Sequence, residues 1–288
     1  MSTAASEIPA RPFGVPEIVE AARVLGASGG GTGAAQLLGL LYDDNVDADE
    51  VLRHLNAEPA LAARILKIAN SPFDRSMGTV GTLERAVQVL GLAAVRGIAA
   101  AGCMDRLPLP ASGRPFDAAQ FRRHSLAVAL AAQELSRRQC CGVDGEAFMA
   151  GLLHDIGLVL LARLRPQALA DAAHAGALEL DDVASGIDHA ECAAILAQTW
   201  ALPAWMVAAL RDHHRPTPAT AGLEALPALL ALGDRVAADA GYALGACAPR
   251  DGQDGAPVAL DPGDESLQDL ASRLPSLMQA FDVPPARA

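Results

Sequence analysis

An all-α fold, a multi-helix bundle of two packed helical halves, is what this sequence predicts. Signals for the start and end of helices recur along the chain, whereas the alternating pattern of half-buried strands hardly occurs. Hydrophobic residues make up 51% of the 288 residues, but aromatic residues only 3%. Alanine and leucine must therefore fill the core, and both favour closely packed helices over sheets.

The first half carries helix signals of several kinds. In "VDADEVLRHL", Asp47 stands three residues before Glu50, the arrangement of a capping box. "EPALAARILKIAN" places Pro59 in a first helical turn, where its missing N–H is not needed. "TLERAVQVLG" predicts a helix that begins after an N-cap at Thr82 and ends at Gly91. An N-terminal helical half follows from these signals.

Two irregular stretches divide the chain. "DRLPLPASGRPFD", residues 105–117, is rich in proline and glycine and separates the first half from a histidine-containing half. "APRDGQDGAPVALDPGDES" predicts an acidic loop before a last helix of about four turns. The predicted organisation is a lead segment (1–28), an N-terminal helical subdomain (29–112), a histidine-containing helical subdomain (113–240), and an acidic loop with a C-terminal helix (241–288).

Charge and composition argue against several classes of protein. The formal net charge of −12 and the pI near 4.9 disfavour nucleic acid or an anionic membrane as the main partner. The N-terminus lacks the pattern of an export signal, and no charge-free run approaches the roughly 18 to 20 apolar residues of a membrane span. Five cysteines without C-x-x-C spacing indicate reduced thiols that serve as small hydrophobic residues. We therefore expect a cytoplasmic protein.

An adjacent His154-Asp155 pair lies in the apolar run "FMAGLLHDIGLVLLARL". Burying polar groups without partners is costly, so a metal ion, a hydrogen-bond network or water must satisfy this pair.

Other histidines and one aspartate of the second half share this setting, because each lies on a different predicted helix or helix end. The complete set of candidate metal ligands is His124, His154, Asp155, His189, His213, His214 and Asp234. Imidazole and carboxylate groups together suit iron, manganese, zinc or nickel, and helix bundles build such sites from facing helices. A single histidine of this kind is more often a hydrogen-bonded core residue, but a whole set in one half favours a common site.

The order H, HD, H, HH, D resembles the HD superfamily of metal-dependent phosphohydrolases. More specifically, the chain is similar to HDOD domains, the HD-related output domains of bacterial signalling proteins. The resemblance covers about residues 30 to 220. Four stretches carry it: "EPALAARILKIANSPF", "GTLERAVQVLGLAAVRGI", "GLLHDIGLVLL" and "HAECAAILAQTWALPAWMVAALRDHH".

The resemblance implies an HD-like fold for the C-terminal half and a candidate metal site. Carried over, one metal would be held by His124, His154, Asp155 and Asp234, and the other histidines would complete a second metal or a substrate contact. HD-domain phosphodiesterases for cyclic dinucleotides have a lysine in an HD-x-G-K pattern, where this chain has Leu158. The cation directed at phosphate is therefore missing at that position, and a metal or one of the arginines near the site in sequence would have to replace it: Arg122, Arg123, Arg211 or Arg215.

HDOD proteins resemble regulators, and catalysis is not an established property of the domain. The resemblance therefore implies a stand-alone, non-catalytic cytoplasmic signalling module that acts through a regulatory protein partner or a ligand. In the motif "LKIANSPF", Asn70 and Ser71 are either helix-capping groups or, with Arg122 and Arg123, part of a groove for a ligand or partner.

Two other functions stay open. One is a metal-dependent phosphohydrolase or phosphodiesterase that acts on a nucleotide or cyclic dinucleotide. The other is a metal or redox sensor in which an iron-type centre and the nearby Cys192 report the state of the cell.

Overall fold

The computed structural model describes residues 15–27, 33–43, 45–70, 79–109, 116–166, 188–244, 260 and 262–281. Within these ranges the regular structure is helical, as the sequence predicts, and no β-strand is present. The first half contains α1 (Val15–Gly26), α2 (Ala34–Leu41), α3 (Ala48–Asn56), α4 (Pro59–Ala69), α5 (Leu83–Leu90) and α6 (Leu92–Arg106). Helix α1 lies inside the segment expected to be a lead.

The second half is built around the longest helix, α7 (Ala118–Arg138), which spans about 31 Å. The helices that follow are α8 (Asp144–Leu153), α9 (Ile156–Leu164), α10 (His189–Thr199), α11 (Ala204–Asp212), α12 (Leu226–Asp239) and α13 (Asp264–Ala280). A short 3-10 helix, Leu223–Ala225, precedes α12. Helices α8, α12 and α13 pack on α7, and α10 packs on α9, α11 and α1. Buried alanines of α7 allow these neighbours to approach closely.

Local capping confirms the helix starts that were read from the sequence. The Asp47 carboxylate accepts a hydrogen bond from the backbone N–H of Glu50 at 2.8 Å, and the Thr82 hydroxyl accepts one from Arg85 N–H at 3.2 Å. Pro59 begins α4, as predicted. The same chemistry that makes these residues good N-caps therefore sets the bounds of α3 and α5.

One boundary differs from a simple reading of the apolar run. Residues 144–164 form two helices, α8 and α9, which are separated by a turn at His154 and Asp155. Within the described residues, this stretch is apolar and long enough to cross a membrane by length and composition, and 89% of its most apolar window is buried inside the protein. A buried core segment of a folded domain has the same composition, so the run reflects the core position of α8 and α9.

Trp200 connects α1 to the second half. Its indole N–H donates to the Ala22 carbonyl at 2.8 Å, and its ring lies against Gly26. Trp200 is buried, while Trp205 is half-buried at the start of α11. Helix α1 is thereby held on α10, the helix that carries His189.

Candidate metal centre

All seven predicted ligand residues converge on one buried site. His124 comes from α7, His154 and Asp155 from the turn between α8 and α9, and His189 is the first residue of α10. His213 and His214 directly follow α11, and Asp234 lies on α12. Five helical elements that are distant in sequence therefore deliver the residues that the sequence singled out.

Asp155 lies at the centre of the site, and its two oxygens face different histidines. Its Oδ2 lies 3.4 Å from His124 Nε2 and 3.3 Å from His154 Nε2. Its Oδ1 lies 3.4 Å from His189 Nε2 and 3.7 Å from His213 Nε2. Asp155 therefore belongs to both groups of potential ligands, His124 with His154, and His189 with His213 and His214.

The Nδ1 atoms, which face away from Asp155, determine the tautomers of three of these histidines. Three Nδ1 atoms bond to backbone carbonyls: His124 to Tyr242 at 2.9 Å, His154 to Gly151 at 2.8 Å, and His213 to Leu210 at 2.7 Å. A carbonyl oxygen only accepts hydrogen bonds, so each Nδ1 carries the hydrogen. In a neutral ring the Nε2 lone pair then points at the carboxylates, which is the usual arrangement of a metal-binding histidine.

Several of these nitrogens face one another in pairs, so that each pair needs a proton or a metal ion between its two atoms. His124 Nε2 lies 3.2 Å from His154 Nε2, and His214 Nε2 lies 2.8 Å from His189 Nε2. His213 Nε2 is buried and has no hydrogen-bond partner. Opposed lone pairs repel unless a proton or a metal ion lies between them. The donor set, buried imidazole nitrogens with carboxylate oxygens, therefore fits a divalent transition metal.

In the group that contains His124 and Asp155, the histidine holds a proton strongly and the carboxylate does not. Burial lowers the pKa of His124, but its interaction with Asp155 and the negative charge of Asp234 outweigh burial and raise it to about 9. Burial would raise the pKa of Asp155, but the charge of His154 and hydrogen bonds from the surrounding imidazoles hold it well below its usual range. Asp155 is thus ionised, and His124 carries a proton that a metal would displace.

In the second group, burial lowers the pKa of His189, but its interaction with Asp155 outweighs burial and raises it, whereas the other two histidines shift the opposite way. Burial lowers the pKa of His213, and burial with the nearby charges of His213 and His189 lowers the pKa of His214 to about 2. Burial raises the pKa of Asp234, although the charge of His124 opposes this. His213 and His214 are therefore neutral at pH 7, the form in which imidazole binds metals.

Gly157 lets the turn with Asp155 approach His189. A Cβ atom at this position would lie only 1.9 Å from the His189 carbonyl oxygen and 2.9 Å from the Ala193 nitrogen. Any side chain would therefore push α9 and α10 apart, and with them Asp155 and His189.

The residues proposed for a ligand groove lie elsewhere. The Asn70 amide donates to the carbonyls of Leu66 and Val80 and accepts from Val80 N–H, so it closes α4 as a cap. Ser71 lies outside the described residues. Arg122 pairs with Asp105 of α6, its Nε 3.6 Å from the carboxylate.

Arg123 is half-buried and makes no ion pair or side-chain hydrogen bond with the part of the chain that the structure describes. Neither it nor Arg122 joins the histidine and aspartate cluster.

Two further positions bear on the chemistry. Leu158, where HD-x-G-K enzymes have lysine, is 3% exposed and belongs to the apolar core. Burial raises the pKa of the Cys192 thiol to about 12. A buried, protonated thiol reacts slowly with oxidants, so the surroundings of Cys192 do not favour the redox-sensor hypothesis.

Sequence reasoning did not identify the backbone carbonyls that orient the histidines. For His154 and His213 a signal exists, because each ring bonds the carbonyl three residues earlier at a helix end. The Tyr242 carbonyl has no such signal, since 118 residues separate it from His124.

Comparison with known proteins assigns the family. The HDOD domain profile matches residues 32–216, which is more than half of the chain. The chain belongs to the HDOD domain family. This match includes six of the seven clustered residues of the HDOD protein, and Asp234 lies beyond its end.

Solved structures share the HDOD architecture. A provisionally described phosphohydrolase from Shewanella amazonensis SB2B is 25% identical, with a TM-score of 0.64 over 94% of this chain and 97% of that one. An HDOD domain protein of unknown function from Geobacter sulfurreducens is 21% identical, with a TM-score of 0.65 over 93% and 97% of the two chains. The latter likeness shows the fold alone.

Among curated proteins, an uncharacterized protein of Treponema pallidum (strain Nichols) is 25% identical over 188 residues. The aligned part covers 60% of this chain and 35% of that protein. The chain therefore spans about a third of the length of this relative.

Proposed function

We propose that this HDOD protein is a cytoplasmic signalling module whose HD-type site binds a divalent metal and whose output is contact with a regulatory protein, not catalysis. The observation that carries the metal part is the convergence of Nε2 atoms on Asp155, with the outer Nδ1 atoms occupied by carbonyls. The proposed ligands of one metal are His124, His154, Asp155 and Asp234. His189, His213 and His214 would hold a second metal or a bound ligand.

Iron, manganese, zinc and nickel all suit this donor set. When bound, such a metal supplies a Lewis acid that polarises oxygen ligands and lowers the pKa of bound water. The chain itself supplies tautomers that aim neutral nitrogens inward and a carboxylate shared by both ligand groups.

The residues around the site favour binding over phosphate chemistry. Phosphoryl transfer needs positive groups aimed at the developing charge on the phosphate. Leu158 contributes none, Arg122 pairs with Asp105, and Arg211 Nε donates to Glu191 at 3.0 Å. The net charge of −12 also disfavours an anionic substrate. For the same reason we do not propose nucleic acid or a membrane as a partner.

A metal-dependent phosphohydrolase or phosphodiesterase is the second candidate. The observation that favours it is Asp155, whose two oxygens face two histidine groups and would be available to both ligand sets. The relative at 25% identity is also described, provisionally, as a phosphohydrolase. Metal ions alone would then have to stabilise the charge on the phosphate.

Elemental analysis of protein purified without chelator tests the metal part. We expect stoichiometric metal in the natural protein and in the His54→Ala control, whose histidine lies on α3 outside the cluster, and none in His154→Ala combined with Asp155→Ala. Asp155→Asn, which keeps the side-chain shape, should also lose the metal. A natural protein without metal would refute this part of the proposal.

A hydrolysis panel tests the non-catalytic part. Nucleotides and cyclic dinucleotides would be incubated with protein loaded with manganese, iron or zinc. We expect no turnover. Hydrolysis that requires metal and disappears in Asp155→Asn would replace the signalling proposal by the phosphohydrolase.

A further inference from the structure

His124 is held at both ring nitrogens by α12 and the residues that follow it. Asp234 of α12 places Oδ1 3.5 Å from His124 Nε2, and the carbonyl of Tyr242 accepts the Nδ1 hydrogen at 2.9 Å. Both partners lie beyond residue 216, where the family match ends.

Gln120 makes a second bond to the same segment. Its side-chain amide donates to the Ala243 carbonyl at 2.9 Å. Gln120 precedes His124 by four residues on α7, so the two side chains lie on one face of the helix, one turn apart. Two side chains one turn apart on α7 therefore hold the consecutive backbone carbonyls of residues 242 and 243.

The backbone after α12 directs these carbonyls at α7. Gly241 has a φ of +84°, in the left-handed region that favours glycine, and Tyr242 N–H donates to the Ala237 carbonyl at 2.8 Å. This is the usual glycine-based termination of a helix. It turns the chain sharply, so that residues 242 and 243 run along α7.

We infer that Gln120 is a positioning residue for the metal centre: by holding residues 242–243 against α7, it keeps the Tyr242 carbonyl on His124 and the imidazole aimed at the metal. This inference rests on the proposed metal site. Groups that orient a metal-binding histidine through its outer nitrogen contribute strongly to affinity, and their loss weakens it by about 10–100-fold. Gln120 acts one step further out, through the backbone that it holds.

Metal affinity of Gln120→Met, measured by competition with a chelator for Zn²⁺ or Mn²⁺, tests this role. We expect binding up to about tenfold weaker than in the natural protein, because tenfold is the lower end of the loss for groups that touch the histidine directly. Gln133→Met is the matched control, because Gln133 is also half-buried on α7 and donates to a backbone carbonyl, that of Asp144 at 3.4 Å. Gly241→Ala should weaken binding in the same way, because it strains the turn from the other side. Affinity of Gln120→Met equal to that of Gln133→Met would overturn the inference.

A metal-independent measurement separates this inference from the proposed function. In metal-free protein the His124 Nδ1 hydrogen should exchange slowly with water by ¹H–¹⁵N NMR, and faster in Gln120→Met but not in Gln133→Met. If the natural protein binds no metal but hydrogen exchange at His124 is faster in Gln120→Met than in Gln133→Met, the proposed metal site is refuted and the positioning role of Gln120 stands. Unchanged exchange in Gln120→Met refutes that role, whether or not metal binds.

Discussion

Replacing Gly157 by alanine should disrupt the proposed metal centre without unfolding the protein. The added Cβ would lie 1.9 Å from the His189 carbonyl oxygen, and such contacts are not tolerated below 3.0 Å, so α9 and α10 must separate by about 1 Å. Metal–ligand distances vary by only about 0.2 Å. Asp155 and His189 lie on opposite sides of this contact, so the two residues cannot both keep their places in the cluster.

The cost in stability has two opposing parts. Forcing an extra methyl group into a packed core costs about 1–3 kcal/mol, while replacing a helical glycine by alanine returns up to about 1 kcal/mol. We therefore expect a net loss of about 1–2 kcal/mol in the free energy of unfolding in urea, together with metal binding at least about tenfold weaker.

Gly145→Ala is the matched control for this substitution. Gly145 lies in α8, and its added Cβ would meet only Ala93 Cβ at an ordinary 3.6 Å. This variant should keep the metal affinity of the natural protein and gain a little stability. If Gly157→Ala binds metal as tightly as Gly145→Ala, the reasoning from the close contact is wrong.

Three further outcomes are expected. Because metal must displace the proton that His124 holds up to a pKa of about 9, affinity measured by chelator competition should rise by up to about tenfold per pH unit from 7 to 9; affinity independent of pH would contradict this. Metal-free protein should be most stable near pH 6.5 in urea unfolding. Above pH 6.5 the stabilisation from the raised pKa of His124 is lost as the folded state releases that proton near pH 9, and below pH 6.5 the unfolded chain protonates His214 while the folded chain does not. Stability that keeps rising from pH 6.5 to 9 would argue against the raised pKa of His124. Trp200→Phe removes the bond to the Ala22 carbonyl and should cost about 1–2 kcal/mol, with earlier proteolysis in α1 than in α13; unchanged stability would show that this bond is not needed to hold α1.

Features that depend on neighbours in sequence were predictable. Helix capping depends on residues only a few positions apart. The structure confirms the predicted N-caps at Asp47 and Thr82 and the first-turn position of Pro59. The membership in the HDOD family and the list of clustered residues also followed from local motifs. The bounds that depend on tertiary contacts did not, as the turn at His154 and Asp155 shows.

The groove hypothesis shows the limit of sequence reasoning for the site. Arg122 stands two residues before His124, yet α7 directs it to Asp105 in the first half of the chain. Successive residues of a helix point about 100° apart, so nearness in sequence does not mean nearness at the site. Gln120, four residues before His124, lies on the side that matters and carried no motif.

The sequence by itself determined the helical class, the capped helix starts and the residue types available for a metal, because composition, periodicity and capping are local properties. Only the tertiary structure decided that Asp155 would face two histidine groups, that Gly157 would bring α9 against α10, and that a carbonyl 118 residues away would orient His124. These arrangements depend on how close helices pack and on where backbone carbonyls end up, and neither is written in the spacing of side chains along the chain.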